Sequence, residues 1–156
     1  MTNILKILSI PRNKRTGMQW VELLIADEKY AAECVWQTLD GGAWELLLEW
    51  QPQFADRCPW DMLSTHDWSM LLHVHPDFAE KYHCPFEKFT SWDWAELLDH
   101  CPQFIDRCDL SKLDGDELYI IFSRQPTLIK PELIKNLKHR LNDFLEDYPE
   151  YSDLKE

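Results

Sequence analysis

One pattern of apolar positions recurs along the chain at a period of about 24 residues. Trp20, Trp44, Trp68 and Trp94 head four copies and Leu118 heads a fifth, at spacings of 24, 24, 26 and 24. Counting that residue as position 0, positions +3 and +4 are Leu23/Leu24, Leu47/Leu48, Leu71/Leu72, Leu97/Leu98 and Ile121/Phe122. Position +8 is proline in every copy but the first: Pro52, Pro76, Pro102 and Pro126 against Glu28. Positions +10 and +11 are apolar again, as in Phe54/Ala55 and Phe104/Ile105. A cysteine follows at +14 in Cys34, Cys58 and Cys108, and two extra residues near Tyr82–His83 delay Cys84 in the third copy. Each copy closes on an aromatic or apolar pair three apart: Trp36/Leu39, Trp60/Leu63, Phe86/Phe89 and Leu110/Leu113.

Positions 0, +3 and +4 share one helical face, as do +10, +11 and +14. Proline cannot continue a helix but suits the first turn of a new one. Each copy therefore predicts a short helix, a proline break, a second short helix and a final turn. The acids before position 0 (Asp67, Asp93, Glu117) suit a helix start, and Asp93 with Glu96 reads as a capping box. "LDG" at 39–41 and 113–115 marks turns. No stretch of 24 residues can bury its own apolar stripe, so the copies must stack. The predicted fold is all-α: a short α-solenoid of about five 24-residue repeats over 18–130. Residues 131–148 place Leu133, Leu137, Leu141, Phe144, Leu145 and Tyr148 on one face and predict a C-terminal capping helix. Residues 1–17 cover the other end, as helix or strand, and 149–156 form an acidic tail.

From Trp20 to Leu118 the copies resemble the tandem "DWxxLLxxxPQFAxxCDWxKLDG" repeats of long bacterial proteins. The first copy departs from that pattern in lacking Pro-x-Phe, and the fifth in lacking the tryptophan and cysteine. Atypical end repeats are what an array requires. The resemblance implies a repeat fold and carries no assigned activity.

Eight tryptophans and seven phenylalanines in 156 residues agree with a packed core, and four glycines leave no Gly-rich phosphate cradle. Charge is uneven: +4 over residues 1–17, −14 over 18–126 and −2 over 127–156. An acidic middle repels nucleic acid and anionic membrane, so direct binding to either is not expected; a protein with a basic surface is the natural partner. The apolar start is broken by Lys6 and followed, not preceded, by basic residues, so it does not read as a secretion signal. A cytoplasmic protein is expected.

Equivalent cysteines in stacked layers should sit roughly 8–10 Å apart, whereas a disulfide needs Cα atoms within roughly 7 Å. The +14 cysteines are thus expected to be small buried side chains, unpaired, in a reducing compartment. Cys101, outside that slot, is expected to be the exposed thiol. No Cys-x-x-Cys spacing is present. His73, His75, His83 and Cys84 form the densest group of potential metal ligands. Positions +5 and +7 otherwise hold Glu49, Gln51, Asp99 and Ser123, which predicts solvent-facing histidines instead.

The carboxylates recur by repeat. Asp56, Glu80 and Asp106 form one series at +12, each followed by Arg or Lys, and Asp67, Asp93 and Glu117 form another. A catalytic acid needs one unusual environment, which repetition does not supply. With Asp77, Asp99 and Asp116, these acids are the expected partner-binding surface, and Trp50 and Trp92, outside the tryptophan slot, are its expected aromatic anchors. The expected function is a non-enzymatic protein-binding module without cofactor. In its sharper form it is an inhibitor that mimics phosphate and occupies the nucleic-acid channel of a nuclease complex, as anti-CRISPR proteins do. The alternatives are a metal-binding or enzymatic protein centred on His73, His75, His83 and Cys84, or a structural scaffold.

Overall fold

The computed structural model describes residues 2–110 and 113–124, and beyond them Asn142, Leu145, Glu146, Tyr148 and Pro149. The predicted capping helix over 131–148 and the tail over 149–156 otherwise lie outside the described residues. Among the described residues every regular element is helical and none is a strand. The chain divides into two compact units, Met1–Asp77 and Phe78–Glu156, and the division falls inside the third repeat.

In the first unit, α1 (Thr2–Leu8) lies against α2 (Gly17–Ala26), which packs on α3 (Gly41–Trp50), which packs on α4 (Thr65–Val74). The segment over 1–17 is thus helical, with a short 3₁₀ turn at Arg12–Lys14. Its tie to the repeats is Arg15, whose buried guanidinium donates to the carbonyls of Ile10 (3.2 Å) and Leu8 (3.4 Å). That guanidinium also lies 4.8 Å from the Trp20 ring centre. One cation thereby satisfies carbonyls left open where α1 ends.

The second unit holds the short α5 (Phe78–Lys81), then α6 (Ser91–His100) packed on α7 (Gly115–Arg124). The Tyr148 ring stacks on Tyr119 with centres 4.2 Å apart, and its hydroxyl donates to Asp116 Oδ1 at 2.6 Å.

The five ten-residue helices start and stop alike because the same slots carry the same chemistry. Position −4 caps each: Thr16, Asp40, Ser64 and Thr90 accept the backbone N–H three residues on, and Asp114 does the same for Glu117. At the other end the N–H of position +7 donates to the +3 carbonyl, from Asp27, Gln51, His75 and Cys101, at 2.7–2.9 Å. Proline then begins a 3₁₀ helix at Pro52–Arg57 and Pro102–Arg107. The second short helix of each repeat was predicted without that tighter winding. Six residues between the proline and the next break suffice for i→i+3 bonding, which short segments favour.

The third repeat is the exception. Its two extra residues convert the 3₁₀ segment into the α-turn α5, which ends with His83 at φ 58° and the Cys84 N–H bonded to the Ala79 carbonyl at 2.9 Å. This is a helix-ending loop of the kind usually closed by glycine. Replacing His83 by glycine should therefore stabilise the protein by about 0.5–1 kcal/mol in urea unfolding, and valine should destabilise it, because a side chain is strained in the left-handed region.

In each unit the core is built on position 0, +3 and +4 side chains, with Trp20, Trp44 and Trp68 in the first and Trp94 in the second all at 2 % exposure or less. Successive repeats are joined by ring stacking. Trp36 lies 5.4 Å from Trp44 at 16°, Trp60 lies 4.8 Å from Trp68 at 29°, and Phe86 lies 5.4 Å from Trp94 at 21°. The apolar pair that closes one repeat is thus the lid on the next repeat's tryptophan.

Candidate functional site

The acids expected to form one surface fall into three groups. Two are not surface groups at all. Asp93 and Glu117 are 4 % and 7 % exposed, each holding the start of its own helix. Asp93 Oδ2 accepts from the Thr90 N–H at 2.9 Å and Glu117 Oε2 from the Asp114 N–H at 2.9 Å. The capping box is therefore Thr90 with Asp93, not Asp93 with Glu96, and the helix begins three residues earlier than predicted. Asp67 plays the same part with Ser64 but stays half-buried. Asp93→Ala should cost about 1–2 kcal/mol of stability in denaturant melts, the usual loss for a cap, while leaving affinity for a basic peptide unchanged.

A second group is neutralised within the chain. Glu80 pairs with Arg107, and Asp99, whose side chain is only 10 % exposed, pairs with Arg124. The third group, Asp56, Asp77, Asp106 and Asp116, is exposed. The +12 series of Asp56, Glu80 and Asp106 thus does stay on the outside, with Glu80 bridged to the basic residue of the following repeat.

Trp50 and Trp92 are exposed as expected, at 61 % and 62 %. Trp92 borders a cleft of about 160 Å³ on α6 and α7, lined also by Ala95, Glu96, Asp99, His100, Ile120 and Arg124. Trp50 sits at the end of α3, on which Glu45 and Glu49 are both half-buried one turn apart. Burial raises the Glu45 carboxyl above the ordinary carboxylate range, and the neighbouring charges of Glu49 and Asp67 push it further, against the opposing influence of His66. Glu45 and Glu49 were not among the candidate acids. The signal was available: positions +1 and +5 are one helical turn apart.

The histidines differ from expectation. His73 and His75 are half-buried, and His75 Nε2 lies 3.1 Å from the Glu49 carbonyl oxygen, tying the end of α4 to the end of α3. His83 and Cys84 border a polar cleft of about 340 Å³ in the second unit with Glu80, Glu87 and Arg107. Among the described residues no three His, Cys, Asp or Glu side chains converge on one point where a metal ion could sit.

None of the five cysteines is in a disulfide; Cys34 and Cys58 are buried, and Cys84 and Cys108 half-buried. Cys101 is buried as well, contrary to the exposed thiol predicted, because position +7 is where the chain folds back to close α6. Burial pushes the thiols up, to about 11 for Cys34 and about 12 for Cys58 and Cys84. Thiols held so far above neutrality are poor nucleophiles.

Among the described residues no helix is long and apolar enough to cross a membrane. Comparison of the chain with protein-family models, with curated proteins and with solved structures finds no match.

Proposed function

We propose that this chain is a non-enzymatic protein-binding module whose repeats stack into one short α-solenoid of about five copies and whose acidic, aromatic-bearing outer surface engages a basic protein. The observation that carries the reading is Trp50. A tryptophan 61 % exposed, on the same helix as Glu45 and Glu49, is costly to leave in water and well suited to a partner that brings apolar contact and positive charge. The net charge of −14 over residues 18–126 supports the same partner chemistry through steering and complementarity. In the sharper form of the proposal the basic surface is the nucleic-acid channel of a nuclease complex in a bacterial cytosol, and the exposed carboxylates of the +12 series stand in for phosphates. The resemblance to bacterial tandem repeats agrees with that setting.

The test is capture of proteins from a bacterial lysate on the immobilised chain at about 50 mM and about 500 mM salt, across which screening of surface charge becomes nearly complete. Basic proteins that are retained only at low salt support the reading, and displacement of them by duplex DNA supports the channel-occupying form. Retention indifferent to salt, or no retention, overturns it.

A further inference from the structure

The two units carry equivalent steps, α3 to α4 and α6 to α7, and they differ at one slot. At the α6–α7 step the +5 acid Asp99 is paired with Arg124, the +6 residue of the following helix. The guanidinium rests at a cleft also lined by Trp92, Ala95, Glu96, His100 and Ile120. At the α3–α4 step the corresponding acid is Glu49 and the corresponding +6 residue is Val74, an exposed apolar side chain at 49 %. The two helix ends meet there through His75 Nε2, 3.1 Å from the Glu49 carbonyl oxygen, and valine stands where the arginine stands at α6–α7. Its other members are rearranged: Glu45 and Leu46 stand where the α6–α7 cleft has Ala95 and Glu96, and Gly42 and Trp50 stand where it has Trp92 and His100, so each step keeps two carboxylates and one exposed tryptophan. Among the described residues Glu45 and Glu49 form no ion pair; burial raises the Glu45 carboxyl, and Glu49 and Asp67 add to that against the opposing influence of His66.

We propose that the α3–α4 step is a receptor for an arginine side chain of the partner, which takes the place that Arg124 fills at α6–α7, with its guanidinium between Glu45 and Glu49 and its plane on the Trp50 ring. Arginine suits the site better than lysine. Its planar fork can engage two carboxylates and still stack on an indole, whereas an ammonium acts as a point charge. The inference rests on the protein-binding reading above and gives that reading a specific partner group.

The site is tested by titrating the full chain with a hexa-arginine peptide and its neutral hexa-citrulline counterpart, following affinity by calorimetry and location by backbone amide shifts. Binding of the arginine peptide alone, with shifts centred on the ends of α3 and α4, is expected. Glu45→Gln with Glu49→Gln should weaken it by about tenfold or more, the effect of losing charge-assisted hydrogen bonds. A control that removes the same charge elsewhere, Glu33→Gln with Asp61→Asn, should weaken it far less. Val74→Arg, which supplies the cation from within, should also abolish binding, and Arg124→Val should open a second site at α6–α7. Equal losses in the Glu45/Glu49 variant and the control, or undiminished binding to Val74→Arg, would overturn the site and leave the acidic-module reading standing. If the arginine peptide does not bind at all, the site is overturned; only if lysate capture also fails does the protein-binding reading fall with it.

Discussion

Trp44→Ala should cost about 3–5 kcal/mol in equilibrium urea unfolding, a large part of the roughly 5–15 kcal/mol that holds a domain together. Trp44 is 1 % exposed, heads the second repeat and carries the Trp36 ring stacked at 5.4 Å. Truncation removes the largest fully buried side chain of that repeat and leaves a cavity on a helix whose rigid backbone, with Leu47 and Leu48 buried on the same face, cannot collapse into it. The stack with Trp36 is lost as well, worth about 0.5–1.5 kcal/mol beyond area. No described hydrogen bond is lost, since the buried indole N–H of Trp44 has no acceptor among the described residues. Trp44→Phe should therefore cost much less, below about 2 kcal/mol, because it keeps a ring in place and deletes an unsatisfied donor. Six residues away, Trp50→Ala should change stability by less than about 0.5 kcal/mol, as expected of a side chain 61 % exposed. A Trp44→Ala loss below about 1 kcal/mol would refute Trp44 as a core side chain of its unit.

The second large effect reverses a familiar expectation. Gly17, Gly41 and Gly115 occupy position −3, the first residue of α2, α3 and α7. Glycine to alanine within a helical turn normally gains about 0.5–1 kcal/mol, because alanine loses less backbone freedom on folding. At Gly115 a Cβ would meet nothing within 4 Å, so Gly115→Ala should show that gain. At Gly17 a Cβ would lie 2.5 Å from the Thr38 carbonyl oxygen and 3.1 Å from Leu39 Cα. Both are backbone atoms of the turn that closes the first repeat, and they cannot swing aside. The overlap should cost about 1–3 kcal/mol, enough to outweigh the entropic gain. Thermal melts of the two variants should thus move in opposite directions. A Gly17→Ala protein as stable as the parent would mean that the closing turn does not press on α2. Thr65 and Ser91 hold the same slot elsewhere, so the tight fit belongs to particular copies and not to the repeat as such.

The candidate surface was only partly legible in the sequence. Recurrence located Asp67, Asp93 and Glu117 as a series, and it also marked them as helix-start residues. What recurrence could not show was that a carboxylate reaching back to the N–H three residues earlier turns inward, as Asp93 and Glu117 do. Trp50 and Trp92 stood out because they break the register, and both are exposed. Glu45 and Glu49 escaped notice because their interest lies in what faces them. Val74 at the position where Arg124 stands in the other unit becomes meaningful only once the helix ends are seen side by side.

Helical character and burial at positions 0, +3 and +4 followed from period alone. Apolar residues spaced at 0, +3 and +4 can hide together only on a helix, and a proline eight residues on must end it. Which turns wind as 3₁₀, which glycine has no room for a methyl group, which carboxylates are spent on caps and which are paired with a cation were decided by neighbours distant in the sequence. Those outcomes depend on separations of a few tenths of an ångström between segments that only folding brings together, and one-dimensional spacing carries no record of them.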